Sequence, residues 1–183
     1  MGMPAPLDFH TREMVLALPE DGNRYETVWG ELFVTPAPRL RHQRVLERLA
    51  ERIGRWARDQ GVGEMLRAPA DISWGPDILV QPDLFVIARE QAGAQDWSEI
   101  SKLDLVVEVL SPSSARADRF AKRRLYQVQG VGTYWVVDAD AGRVEVWTPD
   151  AAFPLVETER LTWRPAGVRE GLVIELAELF RES

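Results

Sequence analysis

An α/β fold, a mixed sheet flanked by helices, follows from three features of the sequence. Residues 45–57 carry apolar side chains at helical spacing, and LDLVVEVL at 103–110 is largely apolar on both faces of a strand. The order along the chain is helix, strands, helix, strand, strand, which a sheet covered by helices accommodates in one core.

From the N-terminus, TREMVLALPEDG reads as a short helix with Thr11 as N-cap and Pro19 just past its last apolar residue. RYETVWGELFVTP reads as two strands around Trp29-Gly30. Pro36 to Pro38 then punctuate the chain. In the helix that follows, Val45, Leu46, Leu49, Ile53, Trp56 and Ala57 share one face. Arg41, Arg44, Arg48, Arg52 and Arg55 form a second stripe beside it. From Gly63 the pattern becomes extended in EMLRAPADISW, DILVQPDLFVIA and LDLVVEVL. A helix is expected over Ala115 to Gln129 and ends at Gly130. Its expected buried stripe is Ala117, Ala121, Leu125 and Val128, with Arg116, Arg119 and Arg123 pointing away. TYWVVD and RVEVW pair around Ala139–Gly142, PLVETERL is a weaker strand, and a short helix is expected near Glu175–Arg181. Without repeat or linker, residues 1–183 are expected to form a single domain.

The absence of cysteine excludes disulfides, zinc–thiolate sites and cysteine nucleophiles. The only histidines are His10 and His42, too few for a histidine-rich metal site, and no GxSxG elbow is present. No apolar run approaches the ~20 residues of a membrane span. MGMPAPLDFHTREM lacks a basic region followed by a long apolar one, so neither a signal peptide nor a membrane partner is expected, and the location expected is cytoplasmic. The net charge of −7 speaks against coating nucleic acid with the whole surface. A local basic groove remains open, because basic residues concentrate at 39–58, with seven arginines, and at 116–124.

Glu108 sits inside LDLVVEVL, where an ionised carboxylate costs several kcal/mol unless partners return it. Asp83 follows Pro82 at the start of another apolar strand. Pairing of the two strands would bring both carboxylates to one end, where a divalent ion relieves their repulsion. Oxygen ligands without cysteine favour Mg²⁺ or Mn²⁺ over zinc. Lys122 is one of two lysines against twenty arginines, so a compact ammonium there is informative. It borders the buried stripe of its helix, with Asp118 and Tyr126 at i±4.

Each residue also has a plain structural reading. Glu108 suits a buried ion pair, Asp83 a turn cap, and Lys122 a surface pair with Asp118 worth ~0.3–0.5 kcal/mol. The arginine stripe suits a solvated face paired with Glu47 and Glu51, and Tyr126, Tyr134, Trp135 and Trp147 suit the core or an interface.

Together, PD at 82–83, VVEVLSPSS at 106–114, DRFAKRRLYQVQGVGTYWVVD at 118–138 and the upstream YETVWGELFVTPAP resemble the Uma-two family of restriction-endonuclease-like proteins. The resemblance implies the PD-(D/E)xK nuclease fold, a mixed central sheet flanked by helices with its carboxylates on adjacent strands. Asp83 then matches the acid of the PD element and Glu108 the acid of the next strand. Leu110 stands where that pattern ordinarily has lysine, and Lys122 on the following helix matches the relocated residue. The resemblance further implies the Val109 carbonyl as a metal ligand, Glu31 of the GEL element as an outer-sphere contact, and His42 as a matched residue without an assigned role. The implied chemistry is Mg²⁺-dependent hydrolysis of phosphodiester bonds, with duplex DNA as the partner and a homodimer compatible with seven tryptophans. Two other readings stand beside it: a nuclease-fold protein that binds or assembles without cutting, and a metal-dependent hydrolase of small phosphate esters.

Overall fold

The computed structural model describes residues 8–182. The stretch 1–7, part of the segment read above for a signal peptide, lies outside the described residues. The first helix, α1 (Arg12–Leu16), starts at Thr11, whose hydroxyl accepts from the Met14 amide at 3.2 Å. Strands β1 (Arg24–Val28) and β2 (Glu31–Thr35) form the expected hairpin. Its two-residue turn places Trp29 and Gly30 at φ of 50° and 82°, the left-handed pair such turns require. Helix α2 (Leu40–Gln60) ends at Gly61, whose φ of 62° stops it. Strands β3 (Gly63–Arg67), β4 (Ile72–Gly75), β5 (Ile78–Val80), β6 (Leu84–Ala88) and β7 (Leu103–Val109) follow. A π-helical segment, Ala117–Lys122, runs into helix α3 (Arg123–Val128). The chain closes with β8 (Thr133–Asp138), β9 (Arg143–Trp147), β10 (Leu155–Glu157), β11 (Arg160–Trp163), β12 (Leu172–Glu175) and α4 (Leu176–Leu179).

Among the described residues these strands form three sheets. A six-stranded sheet has the order β10-β9-β8-β7-β6-β3, a four-stranded sheet β2-β1-β5-β4, and β11 pairs with β12. The six-stranded sheet is mixed: β7 and β8 are parallel, and its other pairs are antiparallel. Parallel neighbours need a crossover, and the helix after β7 supplies it. The run DILVQPDLFVIA, read as one extended segment, is two strands in two sheets. Gln81-Pro82-Asp83 carries the chain from one to the other.

The two faces of the six-stranded sheet explain the apolar character of β7. Leu105, Val107 and Val109 pack with Leu49 and Ile53 of α2 and with Leu161 and Ile174 of the small sheet. Val106 packs the other way, with Phe85, Tyr134 and Val136, against Val28 and Val80 of the four-stranded sheet and Leu125 of α3. Glu108 alternates onto that second face, so it points into the space between two sheets and a helix.

Two helical expectations need correction. Val128, assigned to the buried stripe, is 65% exposed, whereas Asp118, Lys122, Leu125 and Tyr126 are buried. The π-helical turns are wider than α-turns and change the phase of the helix, so a uniform α-helical wheel places Lys122 at the margin rather than at the centre. Arg119 does not point away either: it pairs with Asp138 and Glu145, both at 2.9 Å. The arginine stripe of α2 is mostly tied to the chain's own C-terminal end. Arg41 donates to Ala139 O, Arg48 to Leu179 O and Arg181 O, and Arg52 to Glu178. Arg55 pairs with Glu51 as read, but Glu47 is held by Arg67. No helix among the described residues is long and apolar enough to cross a membrane.

Candidate active site

The Gln81-Pro82-Asp83 link must satisfy its main-chain donors while crossing between sheets. Proline has no N–H, which leaves the amides of Gln81 and Asp83. Gln81 N donates to Glu26 Oε1 at 2.7 Å, and Asp83 N donates to Glu108 Oε2 at 3.3 Å. Asp83 lies opposite Glu108 because the β6–β7 register pairs Leu84 with Val107. The Asp83 carboxylate then accepts from Arg24 Nη1 at 2.8 Å and from Val109 N at 2.9 Å, and lies 3.0 Å from His42 Nε2.

The crossover helix brings a cation to the other side of Glu108. Lys122 Nζ lies 3.0 Å from Glu108 Oε1, 2.8 Å from Glu26 Oε2 and 3.4 Å from Asp118 Oδ1. Tyr126 donates its hydroxyl to Glu108 Oε1 at 3.1 Å, and Tyr134 donates to Asp118 O at 2.9 Å. Glu26, Glu108, Asp118 and Lys122 are each 1% exposed, and Asp83 is 3% exposed. The surface-pair reading of Lys122 with Asp118 therefore does not describe it.

The structure thus brings Asp83, Glu108 and Lys122 together, with Asp118, Tyr126 and His42 around them. Of Val109, the atom engaged is the amide, donating to Asp83, where the resemblance implied its carbonyl as a ligand. Glu31 is not part of the cluster. It sits opposite Val28 beside the hairpin turn and is exposed, because its strand position is at the far end of the hairpin from Arg24. Its place is taken by Glu26, and Arg24 joins it; sequence reasoning missed both. Their signal was the alternation in RYETV, which puts Arg24, Glu26 and Val28 on one face of β1.

Four buried carboxylates face two permanent cations, Arg24 and Lys122, and the imidazole of His42. Burial works against the Lys122 ammonium, but Glu108, Glu26 and Asp118 outweigh it and hold its pKa above that of a free lysine. Burial also opposes the Asp83 carboxylate, yet His42 and Arg24 keep its pKa below the ordinary range. Glu108 goes the other way: burial pushes its pKa well above the usual carboxylate range, and Lys122 offsets this only in part. Burial raises Asp118 likewise. A carboxyl whose folded pKa exceeds its unfolded value of about 4.3 stabilises the fold below that value and loses the contribution as pH rises through the folded pKa. Glu108→Gln removes this loss, so the melting temperature of Glu108→Gln relative to wild type should rise between pH 4.5 and pH 8. An unchanged or falling difference would show that Glu108 is held ionised.

Above this cluster lies a cleft of about 860 Å³, lined by Arg24, Arg39, His42, Gln81, Asp83 and Ser111–Ser114 among others. Of the four buried carboxylates only Asp83 lines it. The donor set suits a hard divalent cation, because carboxylate oxygens dominate it and no sulfur is present. The present side-chain positions are closed to it. All four oxygens of Asp83 and Glu108 already engage the chain's own groups, and among the described residues no three histidine or carboxylate groups converge as a metal site.

Comparison with known proteins agrees with this architecture. The model of the Uma2 family, described as "Putative restriction endonuclease", matches residues 12–177. A crystal structure from Anabaena variabilis, described as "a putative nuclease", superposes with a TM-score of 0.74 at 20% identity, covering 93% of this chain and 97% of the other. No curated protein matches the sequence. The mixed central sheet with its flanking helices is accordingly the restriction-endonuclease-like fold.

Proposed function

Because the chain belongs to the Uma2 family of restriction-endonuclease-like proteins, we propose that it is a divalent-metal-dependent endonuclease hydrolysing phosphodiester bonds in DNA. The observation that carries this reading is the meeting of Glu108 with Lys122 Nζ at 3.0 Å, directly beside the amide of Asp83. In this reading Lys122, arriving from the crossover helix, stands in for a lysine two residues after the acid, where the chain has Leu110.

Asp83 and Glu108 would hold Mg²⁺ or Mn²⁺, which when bound polarises the phosphodiester and makes its water a better nucleophile. Lys122 supplies a compact positive charge for the phosphoryl oxygens as negative charge grows there. Glu26 and Asp118 keep that ammonium charged and fix where it points. Tyr126 and the Asp83 amide orient the Glu108 carboxylate, and His42 and the Val109 amide orient that of Asp83. A strand lying in the cleft would reach Asp83 first.

Incubation of the purified protein with duplex DNA, single-stranded DNA and nucleotides, with Mg²⁺ or Mn²⁺ and after chelation, tests the proposal. Cleavage of DNA that chelation and Glu108→Ala both abolish supports it. Cleavage indifferent to Glu108→Ala removes the site assignment, and turnover of nucleotides alone points to a small-phosphate-ester hydrolase. One observation favours the reading without catalysis: both carboxylates are already satisfied by the chain itself, so the cluster serves equally as the clasp between two sheets. Absence of cleavage with every substrate and ion would decide for that clasp.

A further inference from the structure

We propose that Arg24 and a divalent cation compete for the Asp83 carboxylate, so that the site described above is a closed state that opens when Arg24 leaves. The proposal rests on the reading of Asp83 and Glu108 as cation-binding carboxylates.

The four groups around Asp83 differ in how freely they can move. The Val109 amide belongs to a central strand, and the Asp83 amide bonded to Glu108 belongs to the link between sheets. His42 projects from a helix packed on the core and is 8% exposed. Arg24 is different. Its side chain is 19% exposed against 5% for Asp83, and it lines the cleft. It is held by two hydrogen bonds, to Asp83 Oδ1 at 2.8 Å and to Gln81 O at 3.0 Å, while Glu26 is 3.9 Å away. Gln81 is part-buried and lines the cleft, so the loss of a donor to its carbonyl is made good by water from the cleft.

Charge favours the exchange. A divalent ion brings one more positive charge to these buried carboxyl groups than the guanidinium it replaces. Lys122 cannot make this exchange. It is sealed at 1% exposure among three carboxylates and does not line the cleft. Because Asp83 alone of the four carboxylates faces the cleft, the Arg24 side of Asp83 is also the route by which an ion arrives. Arg24 thus caps the carboxylates until a cation replaces it, and keeps the four acids from facing one another unshielded.

The test is calorimetric titration with MnCl₂ of wild type, Asp83→Asn, Arg24→Gln and the double variant Arg24→Gln/Asp83→Asn, at one pH and ionic strength. Arg24→Gln should bind Mn²⁺ at least tenfold more tightly than wild type, and the double variant should lose that gain. Equal or weaker binding by Arg24→Gln, or a gain that persists without Asp83, overturns the competition. Wild-type binding that Asp83→Asn abolishes, with no gain in Arg24→Gln, overturns the competition alone and leaves the cation site standing. Binding by none of the proteins overturns both. Thermal melting accompanies each titration. Should Arg24→Gln melt below the assay temperature, Arg24→Lys serves in its place: lysine lacks the fork that spans Asp83 and Gln81 O, so it too should bind Mn²⁺ more tightly than wild type.

Discussion

Lys122→Met is expected to abolish cleavage and to cost about 3–5 kcal/mol of stability, the penalty for removing one partner from buried ionic groups. Methionine fills much of the same volume, so the loss is electrostatic rather than a cavity. Glu26, Glu108 and Asp118 would then face each other at the centre of the fold with only Arg24 nearby as a counterion. Urea unfolding measures the stability, and DNA cleavage at a denaturant-free temperature well below the transition measures activity. Adding Glu108→Gln to Lys122→Met should recover part of the stability, because one of the carboxyls left without its counter-charge is gone, and none of the cleavage. Undiminished cleavage by folded Lys122→Met would mean that Lys122 acts only as structural counter-charge.

Asp83→Asn is expected to reduce cleavage by at least ~10²-fold while leaving the fold intact, with a stability cost of about 1–3 kcal/mol. The asparagine oxygen can still accept from one donor. Its NH₂, however, meets either the Arg24 guanidinium or the Val109 amide, and both are donors. Whichever way it turns, one buried donor loses its acceptor. Circular dichroism checks the fold, unfolding by urea the cost, and Mn²⁺ titration the loss of cation binding. Normal cleavage by this variant would remove Asp83 from the site.

These two substitutions also mark where the sequence was readable. Glu108 stood out because charge inside an apolar strand is costly and must be answered, and Asp83 because it follows proline at the start of another apolar strand. Lys122 stood out against a composition that nearly always uses arginine. The layered α/β architecture was readable because apolar periodicity is strong in α2 and in β7. What could not be read was the partition of strands among sheets. DILVQPDLFVIA carries no local mark that its two halves bond to different partners, since that choice is made by contacts far apart in the chain. Arg24 and Glu26 were hidden for the same reason. Both lie on the first hairpin, and only the docking of one sheet over another brings them to Asp83 and Lys122. Glu31, implied by the resemblance as an outer-sphere contact, drew notice because it sits in the more recognisable stretch, beside the turn. The π-helical segment misled the helical wheel, which assumes one rotation per residue throughout.

That segment has a consequence for changes in chain length. Wide turns over Ala117–Lys122 hold about one more residue than α-turns spanning the same rise, so they behave as a one-residue insertion absorbed without a loop. Deleting an exposed residue there, such as Phe120, would let the segment relax into an ordinary α-helix of nearly the same reach. Leu125 and Tyr126 could still find the core, and the crossover from β7 to β8 would still close. Lys122, one turn before Tyr126 on the same side of the helix, would keep its place beside Glu108 with it. A shortening here would thus leave both the fold and its ammonium in place, where the same deletion in an ordinary α-helix would turn one of them away.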